Sequence, residues 1–170
     1  MRPVHKILIL LVVVVATGCS KDKRIENSIT KKNGKWDVSS VTYTRIEQVV
    51  SGTNVGQIVT VDKTENNVGT MTFQKDNGEV VFDFTLNGEY RNDIYGFTVN
   101  DENIILRIKM GLNGIFNIIN NFTIEQQSVS YIGEQTGKNS MTIDGSEVYQ
   151  RITDTSTVQI SMTATYELSR

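Results

Sequence analysis

Between residues 158 and 168 the chain alternates without a break. Val158, Ile160, Met162, Ala164, Tyr166 and Leu168 hold one parity, and Gln159, Ser161, Thr163, Thr165 and Glu167 hold the other. A period of two is that of a β-strand whose successive side chains leave on opposite faces, here one dry and one wet. At about 3.3 Å per residue such a strand is about 35 Å long. It needs a tall sheet with water on one side only, which suits an antiparallel barrel better than a small sandwich.

The rest of the chain agrees. No proline follows Pro3, Thr, Val and Ile are abundant, and no window carries apolar residues at helical spacing over three turns. Val80, Phe82, Phe84 and Leu86 share a parity opposite Asp83 and Thr85, and Ile104, Leu106, Ile108 and Met110 repeat the pattern opposite Arg107 and Lys109. Asn33-Gly34, Asp76-Asn77-Gly78, Asn87-Gly88, Asn113-Gly114 and Asp144-Gly145 read as hairpin turns, because these pairs accept the positive φ of a type I′ turn. Strands are expected over about 35–49, 57–62, 68–75, 79–86, 94–99, 104–110, 122–131, 140–143, 147–152 and 158–168. In the first of these, Trp36 and Val38 share a face but Val41 and Tyr43 take the other, so a β-bulge is expected near Ser39-Ser40. Residues 111–121 fit either a hairpin or an apolar loop over a barrel mouth, and Gly133 to Asn139 reads as an exposed loop. The expected fold class is all-β, an antiparallel meander closed into a barrel of about 8–10 strands.

The N-terminus is of another kind. Arg2 and Lys6 precede an unbroken apolar run from Ile7 to Val15, then Ala16-Thr17-Gly18-Cys19. A basic head, a short apolar core and small residues before a cut point describe a secretory signal, too short to span a bilayer. Cys19 is the one cysteine in the chain. The arrangement resembles the lipobox of bacterial lipoproteins. That resemblance implies cleavage between Gly18 and Cys19, acylation of Cys19, incorporation of palmitate and anchoring to a membrane. Ser20 in the next position resembles the arrangement sorted to the outer membrane, on a face left undetermined. The expected organisation is a signal peptide over 1–18, an acylated cysteine with a flexible polar tether over 19–35, and a barrel domain over 36–170.

Absences bound the chemistry. The sole histidine, His5, lies in the signal, so the mature chain has no imidazole and, once acylated, no free thiol. Histidine-based triads, cysteine dyads and zinc sites built on His or Cys are excluded. Without Arg2 and Lys6 the chain carries 15 basic and 19 acidic residues; this gives no electrostatic case for nucleic acid. Asp76-Asn77-Gly78-Glu79 lacks the further oxygen ligands of a calcium loop, and no metal or cofactor is expected. For hydrolysis by paired carboxylates the candidates are Asp62, Asp83, Glu89 and Asp93, with no spacing to single out two of them. The chain is therefore read as non-enzymatic.

Gly34-Lys35-Trp36 opens the first long strand, and Gly69-Thr70-Met71-Thr72-Phe73 leads into Asp76-Asn77-Gly78. With the chain length and the alternating last strand, these resemble the lipocalins, and more closely the lipocalin-like domains of small bacterial lipoproteins. The resemblance implies that Trp36 packs across a closed barrel floor beneath a basic side chain of the last strand, Arg170 or else Arg151. It departs from the family at Thr153-Asp154-Thr155, where an aromatic would be expected at 155. On this reading Phe82, Phe84, Leu106, Ile108, Ile160, Met162 and Tyr166 line the lumen. The expected function is capture of one small apolar or amphipathic ligand by a lipid-anchored envelope protein. The alternative is an envelope scaffold or protein-interaction module, partner unknown, whose barrel is filled by side chains.

Overall fold

The computed structural model describes residues 21–108, 117–119 and 122–170. Cys19, the signal segment and the Asn113-Gly114 turn lie outside the described residues, as does most of 111–121. A helix, α1, covers residues 21–29; a 3-10 turn at Lys32–Gly34 leads into β1 (Lys35–Gly52). There follow β2 (Ile58–Gln74), β3 (Glu79–Leu86), β4 (Glu89–Asn100), β5 (Asn103–Ile108), β6 (Asn117–Ile119), β7 (Phe122–Gly137), β8 (Ser140–Ile152) and β9 (Ser156–Ser169).

Every pairing is antiparallel, and the strands bond in sequence from β1 to β5 and again from β7 to β9. Two ladders join the ends, β1 to β9 and β5 to β7, so eight strands are hydrogen-bonded in a ring while β6 is appended to β7. The two closures differ in strength. β1 and β9 pair along nearly their whole lengths, from Asp37↔Ser169 to Gly52↔Ser156. β5 and β7 share three pairs, Ile104↔Gly133, Ile105↔Ile132 and Leu106↔Tyr131.

Parity decides which residues face inward. On β9 the whole predicted set, Val158 to Leu168, is buried at 8% exposure or less, each such side chain contributing about 1.5–3 kcal/mol where burial is complete. The expected bulge falls where the parity slipped: Val38 pairs with Gly69 and Leu168, the next pairs begin at Ser40, and Ser39 is passed over. Asn87 and Gly88 both take positive φ, 51° and 77°, in the tight β3–β4 turn.

Several expectations are corrected. The paired runs 57–62 with 68–75, and 140–143 with 147–152, are single long strands. Asp144-Gly145 is no turn. It lies mid-strand, where a Cβ on Gly145 would fall 2.1 Å from the Ser130 carbonyl oxygen and 2.5 Å from Tyr131 Cδ1. Glycine is there so that the Tyr131 ring can lie against the β8 backbone. Gly133 to Gly137 continues β7, and only 138–139 turn.

The largest correction concerns residues 20–35. Read as a flexible tether, the described part of this stretch is instead α1 and the 3-10 turn, laid across one end of the ring. Ile25 and Ile29 stand four residues apart and so share a helix face. Ile29 is fully buried in the main core and Ile25 packs against it. Lys21 Nζ reaches Glu102 Oε1 in the β4–β5 turn at 2.6 Å, Asp22 Oδ1 accepts from the Glu102 amide at 2.9 Å, and Gln135 Nε2 donates to Ser28 Oγ at 2.8 Å. The helix thereby closes one end of the ring. The other end carries the β1–β2, β3–β4 and β8–β9 turns.

Candidate functional site: the interior of the ring

At the closed end Trp36 is fully buried and donates Nε1–H to the Ile29 carbonyl at 2.9 Å. The Arg170 guanidinium lies 3.8 Å over the indole ring centroid. It also donates to the carbonyls of Lys35 and Ser28, both at 3.0 Å, and to that of Ile29. One cation thus ties the last strand, the first strand and the C-terminal carbonyls of α1, where the helix dipole favours positive charge. The Trp36–Arg170 pairing expected from the sequence is present; Arg151 lies elsewhere.

Above this floor the predicted lining residues Phe82, Phe84, Leu106, Ile160, Met162 and Tyr166 all point inward and are at most 2% exposed. Ile108 does not follow them. It is 36% exposed because it lies beyond Leu106, the last residue of β5 that pairs with β7. Past that point the two strands diverge, leaving a cleft of about 440 Å³ between residues 105–108 and 128–132.

The inward aromatics meet one another across the ring. Phe82 of β3 has its centroid 5.9 Å from Tyr166 of β9 and 6.1 Å from Tyr131 of β7, and Tyr131 and Tyr166 are 5.8 Å apart. Phe82 also packs edge-on to Tyr95 at 4.8 Å. The hydroxyls of Tyr131 and Tyr166 are buried with no hydrogen-bond partner among the described residues.

Beyond the aromatic layer lie two ionic clusters that the sequence reading missed. In the first, Arg91 Nε donates to Asp93 Oδ2 at 2.7 Å and Nη2 to Glu147 Oε2 at 2.9 Å, with Nη1 bonded to the second Glu147 oxygen. All three residues are at most 2% exposed. Tyr95 Oη lies 3.3 Å from Glu147 and 3.5 Å from Asp93, and Arg91 sits 5.0 Å over the Tyr149 ring. Two carboxylates face one guanidinium. Burial pushes the Asp93 carboxyl up, Arg91 pulls it down and the Glu147 charge pushes it up again, leaving it above its ordinary value.

In the second cluster Arg45 makes a two-pronged bond to Glu89, at 2.9 and 3.1 Å, and a 2.8 Å pair with Glu47. Arg151 bridges the same two acids, 3.0 Å from Glu47 and bonded to Glu89. These bonds join β1, β4 and β8 across the ring. They also divide the apolar interior: Tyr149, Val158 and Ile160, with Val49 against them, form a small cluster separate from the main core. Burial alone would raise the Glu89 carboxyl; the Arg45 hydrogen bond and charge, then Arg151, outweigh it and hold it below the usual carboxylate range.

That sign fixes a pH dependence. A depressed carboxylate contributes stability that is fully present above its unfolded-state pKa and is lost as pH falls through the folded-state value. The urea midpoint is expected to fall on the acid side of about pH 4, and Glu89→Gln should flatten that limb while lowering the midpoint at pH 7. Equal acid limbs in both proteins would refute the assignment.

Of the carboxylates considered for hydrolysis, Glu89 and Asp93 face inward, each neutralised by arginine. Asp83 is exposed on the outer face, and Asp62 accepts from Thr44 Oγ1 at 2.6 Å on the outside. Nothing brings two of the four into an open cleft. Among the described residues there is no group of three metal-ligating side chains and no helix long and apolar enough to cross a membrane. No protein-family model matches the chain, and neither does any curated protein or solved structure.

Proposed function

We propose that the ring is a lipocalin-like barrel carried on an acylated Cys19, and that it works as a non-enzymatic envelope scaffold or interaction module, not as a container. The observation that carries this is the crossing of the interior at three levels by side chains of facing strands. The aromatic layer joins β3 to β7 and β9, Arg91–Glu147 joins β4 to β8, and Arg45–Glu89 joins β1 to β4. A ligand would have to displace paired charges that are costly to bury alone.

The outer surface supports the same reading. Five large apolar side chains, Ile46, Val50, Val55, Ile58 and Val59, are 38–63% exposed along the β1–β2 hairpin at the open end. Residues 58–66 of β2 pair with β1, while β3 takes up β2 only from Gly69 onward. Among the described residues this leaves a free edge with an apolar tip, and such an edge accepts an extended strand of a partner protein.

A photo-crosslinking residue at Val55 is expected to trap a discrete protein partner in intact cells, and one at Asp144, exposed mid-strand on β8 away from the hairpin tip, is not. Equal or absent crosslinking from both positions would reject the reading.

One observation favours capture of a small amphipathic ligand as a second reading. The hydroxyls of Tyr131 and Tyr166, buried and without a hydrogen-bond partner among the described residues, would each gain about 1–3 kcal/mol from a polar partner. Native mass spectrometry of the purified protein separates the two: a copurifying small molecule lost in a Tyr131→Phe/Tyr166→Phe variant would favour capture over the scaffold.

A further inference from the structure

The helix that closes the ring also belongs to a strongly basic stretch. Residues 21–35 carry six basic side chains, Lys21, Lys23, Arg24, Lys31, Lys32 and Lys35, against two acids, Asp22 and Glu26. All six bases are exposed. Beyond this stretch the charge balance reverses. The described arginines of the interior are spent on internal carboxylates, and the whole chain is net negative.

A groove of about 520 Å³ runs along the outer side of α1. Lys21, Arg24 and Lys31 border it, Ile25 lies at its base, and Glu102 and Gln135 complete the wall. Three cations, of which Lys21 is already paired with the Glu102 carboxylate on the same wall, surround an apolar base; this net positive rim matches the chemistry of an anionic phospholipid, whose phosphate meets the cations while its first glycerol and acyl carbons meet the isoleucine. Charge of this density next to a bilayer attracts anionic lipid over roughly a Debye length.

Chain length supplies the second argument. One residue separates Cys19 from Lys21, so an acyl anchor at Cys19 holds the start of the described helix within about 7 Å of the lipid interface. A floppy tether would have let the domain tumble; a helix docked through Ile29, Trp36 and Arg170 does not.

We propose that the closed end of the ring rests on the membrane, with anionic phospholipid headgroups in the groove beside α1 and the β1–β2 hairpin pointing away. This rests on the reading of Cys19 as the acylated residue. Acylation consumes the only thiol in the chain, so an introduced cysteine is the sole site for a nitroxide label. In the acylated full-length protein, labels at Lys32→Cys and Asn54→Cys are compared by power-saturation spectroscopy on floated vesicles of phosphatidylethanolamine with or without phosphatidylglycerol.

On vesicles with phosphatidylglycerol, position 32 should lose most of its access to a water-soluble relaxant while position 54 keeps it. Lys21→Gln/Lys31→Gln should restore access at 32 without loss of flotation. Equal access at both positions in a protein that floats would overturn the orientation. A chain that fails to float and takes the label at Cys19 itself would remove the anchor, and the inference with it.

Discussion

Arg91→Met is expected to lower the unfolding free energy by about 3–5 kcal/mol, the cost of leaving one side of a buried ion pair without its counter-charge. For a domain of this size each kcal/mol moves the midpoint by roughly 2–4 °C, so thermal denaturation should shift by about 6–20 °C. The reason is local. Asp93 and Glu147 are both at most 2% exposed, both bond to the one guanidinium, and Tyr95 Oη is a polar neighbour of both.

The variant should also steepen part of the pH profile. Without Arg91 the main influence that lowers the Asp93 carboxyl is gone, and burial and the Glu147 charge hold it further above its ordinary value; a raised folded-state carboxyl contributes stability that is present below its unfolded-state value and is lost as pH rises through the folded-state one. The deficit in the urea midpoint should therefore be larger at pH 8 than at pH 5. Replacing the cluster as a unit, Arg91→Met with Asp93→Leu and Glu147→Leu, should recover most of the loss, because well-packed apolar groups replace buried ion pairs at little or no cost. A loss below about 1 kcal/mol for Arg91→Met would mean that the cluster is solvated, and the filled interior on which the scaffold reading rests would be gone.

The same residues explain what the sequence did and did not disclose. On β9 and β3 every inward position is apolar, so alternation alone located the strand, its face and its core residues. On β4 the inward parity reads Glu89, Arg91, Asp93, Tyr95, Phe97 and Val99. The apolar signal begins halfway along, so the strand was expected to start at 94 and five residues of it were missed. Extending the parity of Tyr95, Phe97 and Val99 backward would have placed Arg91 and Asp93 inside. Their pairing with Glu147 on β8 was beyond such a reading, because partners 56 residues apart are joined by topology alone.

A similar limit applies at the closed end. Gly34-Lys35-Trp36 led to the floor and to Arg170, but two isoleucines in a charged stretch read as too little apolar area to order a segment. The spacing of Ile25 and Ile29 was the available sign of a helix. Its contacts come from elsewhere in the chain, and tertiary packing of one face can fix a helix that is marginal alone. The β-bulge at Ser39 was legible for the opposite reason: a break in parity is written in adjacent residues. Ile108 shows where parity misleads, since alternation continues past the end of the ladder that would have buried it.

The floor gives the other large expected effect. Trp36→Ala should cost about 3–5 kcal/mol, as an indole at 0% exposure leaves a cavity that Ile29, Phe73 and the β9 backbone can only partly fill. Arg170→Ala should cost less, since its guanidinium is partly exposed, but the two losses should not add. Stacking at 3.8 Å and the shared bonds to Ile29 predict a coupling of about 0.5–2 kcal/mol in a double-mutant cycle. Trp36 is the only tryptophan, so fluorescence reads this site without interference. Native emission should be blue-shifted, and in Arg170→Ala a red shift should precede the loss of β-sheet circular dichroism on heating, because α1 undocks before the ring opens. If the emission and the sheet signal instead move together in both proteins, α1 and the ring form one cooperative unit, and the helix is as firmly part of the fold as the strands it covers.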